Sequence, residues 1–127
     1  MPVSYHIDES LSTIHTRCFG NVTFDEVIDH FQVLQRDPDC PGKLDVLLDL
    51  TECTSVPESG QLRTVDAAVG KIQDRVRFGA CAVVVRDDLM FGMARMFLAF
   101  AENRFEITQV FRDLAEGKKW LESTSLH

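Results

Sequence analysis

The sequence predicts an α/β domain built on a mainly parallel sheet of about five strands, with an N-terminal antiparallel hairpin and four helices. Three observations lead there. Phe78 to Val85 is an unbroken apolar run, which suits a central strand buried on both faces. Segments of strand and helix periodicity alternate after the hairpin, the pattern of parallel strands joined by crossovers. The 127 residues, 45% of them apolar, make one domain, 1–127, and are too few for two ordinary ones.

Each element has its own signal. Ser4 to Asp8 and Ser12 to Phe19 form the hairpin, turned at Asp8-Glu9-Ser10. In its second strand Ile14, Thr16 and Cys18 share one face, while His15 and Arg17 share the other and read as solvated. Thr23-Phe24-Asp25-Glu26 fits a capping box opening a first helix, with Phe24, Val27, Ile28, Phe31 and Leu34 on one stripe. Asp37-Pro38 ends that helix. Leu44 to Leu50 is the next strand, followed by an irregular stretch from Thr51 to Glu58. A second helix starts near Ser59 and carries Leu62, Val65, Val69 and Ile72, after which 74–77 leads into the central strand.

Asp87 or Asp88 caps the third helix, Leu89 to Ala101. Glu106 to Phe111 is a short strand anchored by Ile107 and Phe111. Asp113 caps a last helix, with Leu114, Trp120 and Leu121 inward and a frayed tail from Ser123.

The third helix is the unusual one. From Leu89 to Ala101 only Gly92 and Arg95 are not apolar, and the apolar residues sweep about 220° of arc. A helix on a sheet needs a stripe of a little over 100°. Either the helix is packed deeply, or a second apolar contact covers the surplus, with a subunit, a protein partner or a lipid chain. Met90, Phe91, Ala94, Phe97 and Leu98 are the candidate surface. A homodimer would place Phe91 and Leu98 outward and cross at Ala94 or Gly92, while an apolar ligand would lie on Met90, Met93, Phe97 and Phe100.

Composition narrows the partners. The net charge of −7 disfavours nucleic acid, which needs a basic face. Met1 to His6 lacks the features of a signal peptide. The 13 greasy residues span roughly 20 Å as a helix, short of a bilayer of roughly 30 Å. Cys18, Cys40, Cys53 and Cys81 form no CxxC pair, so they read as reduced thiols of a cytoplasmic protein. His6, His15 and His30 lack ligand spacing, and Asp45 and Asp49 lie about 13 Å apart along a strand. Asp49 reads as a cap for the loop after it. No GxSxG, P-loop or GxGxxG motif occurs. These absences point away from an enzyme, a metal site or a cofactor.

Gly20 followed by Thr23-Phe24-Asp25, Leu47-Leu48-Asp49-Leu50, Ala82-Val83-Val84, and Val110-Phe111-Arg112-Asp113-Leu114 with Trp120-Leu121 together resemble the STAS-type fold. The chain looks closest to the SpoIIAA-like branch, related to the lipid-binding CRAL-TRIO domains. Gly117 stands where the resemblance implies alanine. In anti-sigma-factor antagonists of this type a partner kinase phosphorylates a serine that precedes a glycine at the start of the second helix. The resemblance implies that role for Ser59, before Gly60, although Pro57 replaces the usual acidic residue. A serine there also serves as a helix cap. The expected function is a non-enzymatic regulatory or protein-interaction module. The alternative is a binding protein for a lipid or other small apolar ligand.

Overall fold

The computed structural model describes residues 3–55, 59–72 and 76–125, apart from the side chains of Phe24, Ser59, Ile72 and Ser125. Five strands and four helices follow in the order β1 (Val3–Asp8), β2 (Thr13–Gly20), α1 (Phe24–Arg36), β3 (Lys43–Cys53), α2 (Ser59–Ile72), β4 (Arg77–Val84), α3 (Asp88–Phe100), β5 (Ile107–Phe111) and α4 (Leu114–Ser125). The sheet order is β1-β2-β3-β4-β5. Only β1 and β2 pair antiparallel; the other neighbours run parallel. This is the architecture expected from the strand–helix alternation.

The local signals act as their chemistry requires. The Glu26 N–H donates to Thr23 Oγ1 at 3.3 Å and the Thr23 N–H to Glu26 Oε1 at 2.9 Å, closing the capping box. Of the two candidates before α3, Asp87 is the cap, accepting the Met90 N–H at 2.9 Å. Asp49 accepts from the Thr51 N–H and hydroxyl, at 2.9 and 2.6 Å, so it braces its own strand end. Asp45 serves a bulge. Opposite it the β3–β4 register shifts between Leu44 and Val46, and the extra Ala80 N–H donates to Asp45 Oδ1 at 2.9 Å. A Cβ on the neighbouring Gly79 would lie 2.3 Å from that oxygen. The shift turns Phe78 and Cys81 toward the same side of the sheet.

Three expectations are corrected. β3 runs on to Cys53 rather than ending at Leu50, because Phe19 and Gly20 of β2 pair with Glu52 and Cys53 and Arg17 ion-pairs with Glu52. Ile107 does not anchor β5 but is 48% exposed, since β5 is an edge strand. α4 continues through Ser123 to Ser125 instead of fraying. Residues 56–58, 73–75 and 126–127, to which parts of the loop, linker and tail were assigned, lie outside the described residues.

The helices divide between the faces. α4 covers one alone, with Leu121 against Leu47, Ala80, Ala82 and Val84. Helices α1, α2 and α3 share the other, where Leu34, Val69, Met90, Ala94 and Leu98 meet Ile14, Phe78, Cys81, Val83 and Val85. Gly117 explains its own departure from alanine: a Cβ there would meet Val84 Cγ2 at 2.9 Å, so glycine lets α4 lie close on β4.

Candidate ligand cavity

Three helices on one sheet face leave a gap where small side chains face each other. Thr16 and Cys18 on β2, Val46 on β3, Cys81 and Val83 on β4 and Ala94 on α3 all line it. Larger residues close the sides: Phe31 from α1, Leu62, Val65 and Val69 from α2, and Met90, Met93 and Phe97 from α3. The result is a cavity of about 190 Å³. Among the described residues, its only lining side chains with oxygen or nitrogen are Thr16 and His30. Phe105 also lines it and stands beside Phe78, ring centroids 5.6 Å apart. The loop carrying Phe105 is tied to α2 by Arg104, whose Nε donates to Asp66 at 3.1 Å.

Desolvation governs the titratable groups around this space. Burial pushes the Cys18 and Cys81 thiols up to about 12, with Cys53 and Asp49 adding to the effect at Cys18. Both are therefore protonated, inert wall residues. Burial lowers the His30 imidazole to about 4, so the ring is neutral at neutral pH. Tyr5 is raised to about 12 by burial first and then by its hydrogen bond to Asp37, at 2.6 Å.

The candidate residues of α3 divide. Met90, Ala94 and Phe97 line the cavity, as Met93 does. Phe100 does not; it lies under the Arg63 guanidinium, 4.8 Å from its ring centroid. Phe91 and Leu98 were expected outward for a dimer, but Leu98 is 7% exposed against the sheet. Phe91 is half-buried beneath Arg112, 4.7 Å from its ring centroid. Ala94 is buried and cannot be a crossing point between copies. The wide apolar arc is used mostly inside: α3 packs on the sheet, lines the cavity and carries rings covered by arginines.

His15 is not on a solvated face either. It is half-buried, stacked on His6 at 5.0 Å, and bounded by Leu114 and Lys118 of α4. Burial, then His6 and Lys118, lower its pKa against the opposing pull of Asp8. The Ser59 side chain, expected as cap or phosphosite, lies outside the described residues; α2 begins at Ser59. Among the described residues no three His, Cys, Asp or Glu side chains could hold a metal ion. No described helix is long and apolar enough to cross a membrane.

Sequence reasoning overlooked Thr16 and His30 as parts of a site. The signal was there: His30 falls on the α1 stripe between Val27 and Leu34, and Thr16 between Ile14 and Cys18 on an inward strand face.

No protein-family model and no curated protein matches the sequence. The structure is similar to the crystal structure of an uncharacterised protein of the DUF3478 family with a SpoIIAA-like fold from Shewanella loihica. The TM-score is 0.62 at 16% identity, over 94% of this chain and 91% of that one. The chain therefore has the SpoIIAA-like fold.

Proposed function

We propose that this chain, on its SpoIIAA-like fold, is a non-enzymatic binding protein for a small apolar molecule or the acyl part of a lipid, held between the sheet and α1–α3. The supporting observation is the cavity of about 190 Å³ and its apolar walls. An engineered hole of roughly 150 Å³ with such a lining stays dry and takes up benzene. The space here suits one ring or a short chain. A ligand filling the space would cover its apolar walls, and Met90 and Met93 are side chains that adapt to different shapes.

Titration calorimetry with toluene, a single apolar ring of a size the cavity can hold, tests this reading. One molecule should bind saturably per chain. The absence of any saturable heat overturns the proposal.

A protein-facing role rests on another observation. Leu89 and Met96 are 62% and 40% exposed on the outer side of α3. A second copy of the chain, as a homodimer, or a regulatory protein partner would cover them. Sedimentation of the wild type beside Leu89→Glu with Met96→Glu decides the first of these: a wild-type monomer removes the homodimer. The buried thiols of Cys18 and Cys81 support a reducing, cytoplasmic setting.

A further inference from the structure

The cavity has a polar end. Thr16 lines it from β2 and His30 from α1, and each is a neighbour of Tyr5. That residue pairs with Thr16 across the hairpin, and its ring stands edge-on to His30 with centroids 5.3 Å apart. Its hydroxyl is already taken by Asp37. Thr16 is 5% exposed, yet among the described residues neither its hydroxyl nor the His30 imidazole has a hydrogen-bond partner. No described buried side-chain N or O sealed from open space lacks a partner, so neither group is sealed off, and the cavity is a space that both residues line. A polar group as deeply placed as Thr16 is as a rule hydrogen-bonded, while His30 is half-buried. The opposite wall, on α3, offers only Met90, Met93, Ala94 and Phe97.

The lining also says what the polar head is not. Among the described residues no Lys, Arg, Asp or Glu contributes to it. A carboxylate or phosphate would lose its hydration there and gain no counter-charge. A hydroxyl needs one acceptor and one donor, and a neutral imidazole with a threonine hydroxyl supplies both.

We propose that the cavity takes an uncharged amphiphile with a single hydroxyl head, an alcohol or a phenol. Its hydroxyl hydrogen-bonds at Thr16 and His30, and its apolar body lies toward α3. This rests on the binding role proposed above and adds the class of ligand.

The test is competition against toluene at neutral pH, read by titration calorimetry, by octanol, by the methyl ether of octanol and by octanoate. Octanol should compete roughly three- to tenfold better than its ether, the worth of one hydrogen bond, and octanoate should be the weakest. Thr16→Val and His30→Phe should narrow the gap between octanol and its ether. Thr16→Ser and His30→Gln, which keep hydrogen-bonding groups, should retain the preference. Equal competition by octanol and its ether, or by octanol and octanoate, overturns the head-group inference while apolar binding stands. The wild-type comparison gives that answer even where a variant does not fold. If toluene itself does not bind, both proposals fall.

Discussion

Ala94→Leu asks whether the space beneath α3 is truly empty, because the sign of its effect depends on it. Ala94 is 6% exposed and lines the cavity. In a core at ordinary density, forcing in three more carbons costs about 1–3 kcal/mol through strained rotamers and displaced backbone. Beside an open volume of about 190 Å³, the same carbons enter unoccupied space. At about 0.8 kcal/mol per buried CH₂ they contribute about 2.4 kcal/mol. Immobilising the leucine takes back about 0.5–1 kcal/mol, leaving a gain of about 1.5 kcal/mol. Val65→Leu, on the α2 wall, adds one carbon and should gain less than about 1 kcal/mol. Urea denaturation at constant slope measures both changes, and toluene affinity should fall in each variant as the cavity shrinks. Destabilisation of both variants by more than about 1 kcal/mol would mean that the walls already touch, and the binding reading would lose its basis.

Three further outcomes follow from named contacts. Val83 is 1% exposed on β4, between two parallel neighbours, so Val83→Asp buries an unpaired carboxylate and should prevent folding. Soluble V83D with a cooperative unfolding transition would contradict the central-strand assignment. Burial lowers the His30 pKa from 6.5 to about 4, so the unfolded chain takes up this proton first. The associated stability is complete above pH 6.5, lost as the pH falls toward 4, and worth at most about 3 kcal/mol. His30→Phe should flatten that part of the acid limb in urea midpoints, and an unchanged limb would show His30 to be solvated. Gly117→Ala should lower stability by about 1 kcal/mol despite the better helix propensity of alanine, because of the approach to Val84. A stabilised variant would show that α4 can lift from β4.

The fold is legible in this sequence because its signals are local and mutually consistent. Thr23 and Glu26 write a capping box into adjacent residues, and the Phe78–Val85 run has no solvent-compatible face. The cavity is a different kind of object. It arises where Thr16, Cys18, Val46, Cys81, Val83 and Ala94 come face to face from four elements, and no sequence window holds them together. Each is an ordinary inward residue where it stands. The breadth of the apolar arc on α3 is readable, but its division between sheet, cavity and surface is not. Arg63 and Arg112, which cover Phe100 and Phe91, come from α2 and from the end of β5. His30 was the readable clue, a polar residue on the apolar stripe of α1, and its meaning depends on which strands that stripe faces.

Methyl NMR of the full chain titrated with toluene addresses the binding role most directly. Toluene is small enough for the cavity and has no polar head, so it tests apolar binding apart from the chemistry at Thr16 and His30. Methyl signals of Val46, Val65, Val69, Val83, Met90 and Met93, which line the cavity, should shift together and saturate. Those of Leu47, Val84 and Leu121, in the core under α4, should hold their positions. Shifts that fail to saturate, or that spread equally over both faces of the sheet, would contradict an interior apolar site.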